Sequence, residues 1–333
     1  MNILVFDTHS FEKSVLTLAN EKFGHDLRFV ETRLTKETAA LASGFRCVCA
    51  FANDRLDQEC LTILKAGGTE LIALRSAGFN HVDLPSAARL NLRVVRVPEY
   101  SPYSVAEHAV GMMLTLNRKL HRAFNRVREF NFSLDGLVGF DMHGKTVGII
   151  GTGRIGSAVA SILRGFGCNV LAYDIAPNEE LAKACDVKYG SLNDLFKNSH
   201  IISLHVPLNP KTHHIIDDAA LASMQKGVML INTSRGGLID TKSLISALKS
   251  GHIGFAGLDV YEEEQGVFFE DHSQDLLQDD ILARLLTFPN VFVTSHQGFL
   301  TQEALANIAH TTLENVLDFE SGRALKNEVH AQR

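Results

Sequence analysis

Residues 145–167 read KTVGIIGTGRIGSAVASILRGFG, and this stretch decides the fold. A short apolar run, 146–150, is followed at once by Gly151, Gly153 and Gly156, and then by an amphipathic pattern of helical period. That order predicts a buried strand, a tight turn and a helix whose first N–H groups and dipole face a pyrophosphate. Gly151 permits the turn, Gly153 lets a phosphate approach the backbone, and Gly156 lets the helix pack closely on the strand. Eighteen residues after Gly156 the next apolar run closes on Asp174. A carboxylate there accepts from ribose hydroxyls and repels a 2′-phosphate. Ile175 follows where a compensating Arg would stand, so NAD is expected over NADP.

On either side of this unit, short β-rich runs alternate with longer amphipathic stretches, as in parallel strands joined by helical crossovers, so the fold class is α/β. Strands are expected at 3–6, 27–30, 47–51, 71–74 and 93–97, forming one small sheet before residue 100. A second series is expected at 146–150, 169–174, 200–205, 228–233, 255–259 and 291–295, enough for a doubly wound sheet. Between them, SPYSVAEHAVGMMLTLNRKLHRAFNRVREF keeps a helical apolar repeat over 101–130 and predicts one long bridging helix. The acidic stretch 261–280 reads as an irregular excursion, and 301–322 as a closing helix.

The chain has 333 residues, 45% hydrophobic and 21% charged, which points to two globular domains and excludes disordered or collagen-like classes. Thirty-two basic against 38 acidic side chains leave a net charge of −6, with no broad positive surface for nucleic acid. No apolar stretch is long enough for a membrane span, and the N-terminal run lacks the basic start of a signal peptide. Five cysteines, odd in number and mostly within apolar runs, suit reduced thiols, so a cytoplasmic location is expected.

Three later strand ends carry polar residues where a parallel sheet presents its ligand-binding edge: Arg235 in INTSRGGLID, Asp259 and Glu264 in GLDVYEEE, and His296 in VTSHQGF. Reduction of a keto acid needs a cation for the carboxylate, a proton donor for the developing alkoxide, and an acid that keeps this donor charged. Arg, His and Glu supply that set. Each also has a plainer reading, as a surface cation, a helix-start histidine and one acid in a solvated run. His108, His205, His213 and His214 have no Cys or carboxylate at ligand spacing in the sequence, so no metal site is expected.

GTGRIG, the HVPL segment, INTSRGGLID, GLDVYEEE and SHQGFLTQEAL, in this order and spacing, resemble the D-isomer-specific 2-hydroxyacid dehydrogenase family over essentially the whole chain. The longer segments RSAGFNHVDL, PEYSPYSVAEHAVGMML and FFEDHSQDLLQDDILARLL resemble those members that interconvert pyruvate and D-lactate. The resemblance implies a Rossmann-type NAD domain, 101–298, inserted into a smaller flavodoxin-like substrate domain made of 1–100 and 299–333. The active site is expected in the cleft between them, with hinges near residues 100 and 298.

It further implies that Arg235 holds the substrate carboxylate, that His296 is the acid in reduction and the base in oxidation, and that Glu264 pairs with His296. Glu262, Glu263 and Glu264 run together, and only the family pattern picks out the third. By the same resemblance the amides of Ala77 and Gly78 reach the carboxylate, and Tyr100 and Phe299 lie near the substrate side chain. Along the cofactor it implies Arg154 and Ile155 at the pyrophosphate, Val206 and Pro207 beside the adenine half, and Thr233 with Asp259 near the nicotinamide. The implied reaction is NADH-dependent reduction of pyruvate to D-lactate by a homo-oligomer, dimer or tetramer, joined through the helix from Ser101. Two rivals remain: a bulkier 2-keto acid such as phenylpyruvate or 2-ketoisocaproate, and an NAD-sensing binding protein.

Overall fold

The computed structural model describes residues 1–331. The chain divides into two compact units, one made of Met1–Ser101 with the C-terminal segment from Leu300, the other of Pro102–Phe299.

In the first unit, β1 (Asn2–Val5), β2 (Asp26–Phe29), β3 (Cys47–Ala50), β4 (Leu71–Leu74) and β5 (Arg93–Val95) form a parallel sheet in the order β2-β1-β3-β4-β5. The central strands CVCA and LIAL are apolar throughout because both faces are covered. Alternate residues serve the two faces. Leu4, Val48 and Ile72 pack on Leu61 and Leu64 of the helix Gln58–Ala66. Ile3, Val5, Cys47 and Leu71 pack with Leu16 of Ser10–Asn20 and with Leu313 and Val316 of Gln302–Glu320. Beyond β4 the buried guanidinium of Arg75 donates to Glu12 at 2.9 and 3.2 Å and to the carbonyls of Phe6, Asp7 and Cys49. One cation thereby ties the C-terminal ends of three strands, its charge met by a buried carboxylate.

In the second unit, β6 (Thr146–Ile150), β7 (Asn169–Tyr173), β8 (Lys188–Tyr189), β9 (Ile201–Leu204), β10 (Val228–Asn232), β11 (Ile253–Leu258) and β12 (Val291–Val293) run parallel in the order β12-β11-β10-β9-β6-β7-β8. The direction of winding reverses between β6 and β9, the position where such sheets open a crevice at their C-terminal edge. β8 has only two residues, too few for any periodicity in sequence to announce it.

The expected long helix is instead two, Pro102–Arg118 and Leu120–Arg128, parted by Lys119 at φ +51°. The buried Asn117 causes the break. Its side chain donates to the Phe140 carbonyl at 2.7 Å and accepts from the Phe140 amide at 2.8 Å, fastening the helix end to a passing chain. Gly139 is needed there, since a Cβ would lie 2.6 Å from the Asn117 carbonyl. After the break Leu120, Phe124, Val127, Phe130, Phe132, Leu134 and Val138 are all exposed. From Asp259 to Asp279 the chain forms no helix or strand, as expected of the excursion, and it is anchored by Phe268 in the core.

Candidate active site

At the centre of the second sheet β6 runs into the glycine turn, and the helix Arg154–Gly165 starts with Gly153 as its N-cap. Gly151 has φ +95°, and a Cβ on it would lie 2.7 Å from the His205 carbonyl and 2.8 Å from Val206 Cγ1. A Cβ on Gly156 would lie 1.9 Å from the Gly151 carbonyl. Gly153 differs, because nothing lies within 4 Å of its Cβ position and no side chain caps the helix. An uncapped helix start beside open space leaves N–H donors for an anionic ligand, which a pyrophosphate satisfies. Arg154 opens the helix, and Ile155 packs on the core beneath it.

Asp174 stands at the end of β7. Its Oδ2 accepts from the Thr152 amide at 2.6 Å and the Thr152 hydroxyl at 3.1 Å, and Oδ1 accepts from the Ala176 amide at 2.9 Å. Partial burial pushes its pKa up, but these hydrogen bonds outweigh it and hold the carboxyl below its ordinary value. The ionised carboxylate keeps lone pairs for two ribose hydroxyls. Tyr189 of β8 donates to Thr152 Oγ1 at 2.9 Å, steadying the same turn. Val206 backs Gly151 and accepts from Ser234 Oγ at 2.7 Å, while the Pro207 carbonyl accepts from Thr212 Oγ1 at 2.6 Å. Thr233, at the end of β10, has a buried hydroxyl with no partner among the described residues, a polar atom that a bound polar ligand would satisfy.

The ends of the neighbouring strands β10, β11 and β12 lead into the residues expected to carry the chemistry. Arg235 is half-buried, donates to the Ser234 carbonyl at 2.6 Å, and meets no carboxylate among the described residues. Gly236 lets this loop rest on the next one, since a Cβ there would lie 2.1 Å from the Tyr261 backbone. A half-buried guanidinium without a counter-charge is a ready receptor for a carboxylate.

His296 Nδ1 lies 2.9 Å from Glu264 Oε1, and the other carboxylate oxygen accepts from the Tyr261 amide at 3.1 Å. Of the three consecutive acids, the fold selects the third. Glu262 turns to His214 at 2.6 Å. With Nδ1 engaged by Glu264, Nε2 is the ring nitrogen left to exchange a proton. His296 has φ +54°, a conformation costly for a residue with a side chain and sustained only by surrounding structure.

Asp259 supplies that structure. Its backbone carbonyl accepts from the His296 amide at 2.7 Å, and its buried carboxylate accepts from Thr294 Oγ1 at 2.5 Å and from the Gln297 and Gly298 amides at 2.9 Å. His108 Nε2 lies 3.2 Å away. Burial pushes the Asp259 pKa up, yet the bonds from His108 and Thr294 prevail and hold it below the ordinary value. Asp259 therefore braces the histidine loop. Phe269 is a neighbour that the sequence reading does not single out. Its ring centroid lies 5.8 Å from that of His296 and 6.5 Å from that of Phe299, and its backbone has φ +69°. The only hint in sequence is an aromatic pair, Phe268 and Phe269, inside an acidic stretch.

In the first unit, Ala77 and Gly78 lie in the loop after β4. The Ala77 carbonyl accepts from Arg96 at 2.7 Å and the Gly78 carbonyl from Ser76 Oγ at 2.7 Å, whereas neither amide donates to another described residue. The Tyr100 carbonyl accepts from Asn307 at 2.5 Å.

Comparison with known proteins places these features in a family. Residues 110–298 match the model described as D-isomer specific 2-hydroxyacid dehydrogenase, NAD binding domain. The chain is 53% identical over 326 residues to a 2-hydroxyacid dehydrogenase homolog of Zymomonas mobilis, covering 98% of both chains. It is 50% identical over 329 residues to the D-lactate dehydrogenase of Escherichia coli, covering 99% of this chain and 100% of that one. A solved structure identified as the pyruvate reductase of Chlamydomonas reinhardtii superposes with a TM-score of 0.93 at 48% identity, covering 98% of each chain.

Proposed function

Because the chain belongs to the D-isomer-specific 2-hydroxyacid dehydrogenases, NAD-dependent enzymes of D-2-hydroxy acids, we propose that its reaction is the reversible reduction of pyruvate to D-lactate with NADH. The observation that carries this reading is the pairing of an uncompensated Arg235 with a His296 whose Nδ1 is held by Glu264. Arg235 binds the carboxylate of the keto acid and polarises its keto oxygen. His296 delivers the proton from Nε2 to that oxygen as negative charge develops, and takes it back in the oxidation of the hydroxy acid. Glu264 fixes the orientation of the ring through Nδ1. NADH, when bound, supplies the hydride to the keto carbon.

Gly151, Gly153 and Gly156 with Arg154 and Ile155 are assigned to the pyrophosphate, Asp174 to the ribose, Val206 and Pro207 to the adenine half, and Thr233 to the nicotinamide end. Asp259 is assigned to the same end through the loop it holds. The free amides of Ala77 and Gly78 are assigned to the substrate carboxylate, and Tyr100 and Phe299 to its side chain. Phe269 joins them, because an aromatic ring beside His296 limits the space to a small substituent such as the pyruvate methyl. We assign Pro102–Phe299 to the cofactor and the other unit to substrate. The exposed apolar run between Leu120 and Val138 is the face through which we expect a homo-oligomer, dimer or tetramer, to form. All five cysteines are free, four of them buried, which suits a reducing cytoplasm. No helix among the described residues is long and apolar enough to cross a membrane.

The test is NADH oxidation with pyruvate and with phenylpyruvate, followed by chiral analysis of the product, for wild type and His296→Ala. The expected outcome is D-lactate, a higher kcat/KM for pyruvate, and a loss of about 10²- to 10⁴-fold in the variant with NADH binding retained. NADH binding without pyruvate turnover would overturn the assignment, and preference for phenylpyruvate would move it to the bulkier substrate.

A further inference from the structure

We propose that His213, His214 and Glu262 form a binding site for a divalent transition-metal ion of the zinc class, separate from Arg235 and His296. One ligand atom from each of the three residues lies within 4.8 Å of the others. The nearest acids in sequence, Asp217 and Asp218, open the next helix, where Asp217 accepts from the Ala220 amide, and the fold instead brings Glu262 to His214 from 48 residues away.

Two adjacent histidines ordinarily project to opposite sides of a chain, and here the backbone prevents it. The turn after Pro210 is closed by the Thr212 and His213 amides donating to the Asn209 carbonyl at 3.0 and 2.9 Å. His214 then takes φ +51°, and its amide donates to the Gly237 carbonyl at 2.9 Å. The two imidazoles consequently stack, with centroids 3.9 Å apart and planes inclined by 27°. A non-glycine residue in the left-handed region that juxtaposes two ligand side chains is the kind of conformation kept where it has a use.

The third ligand is equally oriented. Glu262 Oε1 lies 2.6 Å from His214 Nε2, while Oε2 accepts from the Thr241 hydroxyl at 2.9 Å and the Thr241 amide at 3.4 Å. Hydrogen bonds from behind to a ligating carboxylate are the usual outer support of a metal site. Two imidazoles and one carboxylate suit Zn²⁺, Ni²⁺ or Cu²⁺ and leave a coordination position for water, whereas Mg²⁺ and Ca²⁺ call for oxygen ligands throughout. His213 is exposed, which gives the ion a path in. An ion here replaces the contact between His214 and Glu262 and joins the turn after β9 to the turn that also carries Glu264.

The test uses full-length, tag-free, chelator-treated protein titrated with Zn²⁺ in a calorimeter, with Co²⁺ absorption as a second readout. One Zn²⁺ per chain is expected, unaffected by Mg²⁺, together with the visible Co²⁺ bands of a low-coordinate site. His213→Ala and Glu262→Gln should each weaken binding by about tenfold or more, and His296→Ala should leave it unchanged. The exposed His213 position guards against a folding defect. No saturable uptake, uptake equal in both ligand variants and wild type, or uptake lost in His296→Ala would overturn the proposal.

Discussion

His296 and His214 make an instructive pair. Both have a left-handed backbone, at φ +54° and +51°, and both meet a glutamate from the same turn, Glu264 at 2.9 Å and Glu262 at 2.6 Å. What differs is the support behind each ring. The His296 loop is hung on the buried Asp259, which receives a backbone or side-chain donor from Thr294, Gln297 and Gly298. His214 has a second imidazole stacked against it and a glutamate tied to Thr241. The same two residue types in the same local geometry thus suit the different tasks we propose for them: a single braced imidazole to move a proton, and a stacked pair to hold a metal ion.

The brace is the first place to break the comparison. Asp259→Ala removes the acceptor for three donors and the partner of His108 in a buried site, so stability should fall by about 3–5 kcal/mol. Chemical denaturation of the two proteins measures this, and an unchanged midpoint would mean that the loop holds itself. A second cut separates the glutamates. Glu264→Gln should lower kcat about a hundredfold, while Glu262→Gln, which no proposed step uses, should leave kcat near wild type. Equal losses in both variants would dissolve the distinction between the two pairs.

The chain's legibility follows the same division. Both sheets can be read from sequence because parallel strands covered on both faces become unbroken apolar runs, such as VMLIN of β10 and CVCA of β3. Gly151 and Gly156 are legible because any side chain there would strike backbone. Arg235 and His296 emerge from the chemistry at the strand ends together with a whole-chain pattern, and Glu264 from that pattern alone, since three successive acids look alike until the fold turns Glu262 and Glu264 to different histidines. Hidden from such a reading are features made by backbone conformation or by distant contact. The helix break at Lys119 depends on Asn117 meeting Phe140. The placing of Phe269 beside His296 depends on an irregular stretch anchored by Phe268. The meeting of His213 and His214 with Glu262 depends on both.

A third histidine sharpens the contrast by having no acid at all. His205 follows β9 beside the glycine turn, where its carbonyl limits Gly151, and its Nε2 lies 2.9 Å from Ser203 Oγ. Burial of the ring, with no carboxylate to offset it, lowers its pKa from 6.5 to about 4. In the unfolded chain the same group gains its proton near 6.5. Between those values the unfolded state binds the proton and the folded state does not, so the stability present above pH 6.5 drains away as pH falls toward 4. Replacement by Gln keeps a hydrogen-bonding partner for Ser203 and removes the titration. The carboxylates with lowered pKa, Asp174 and Asp259, lose their protons below this window and are common to both proteins, so they cancel in the difference. Unfolding free energies of wild type and His205→Gln should therefore converge by about 2 kcal/mol in favour of the variant between pH 7 and pH 4. Parallel curves would show that the ring is solvated in the native state and takes its proton as readily there as in the unfolded chain, so that nothing beside the nucleotide turn keeps it neutral.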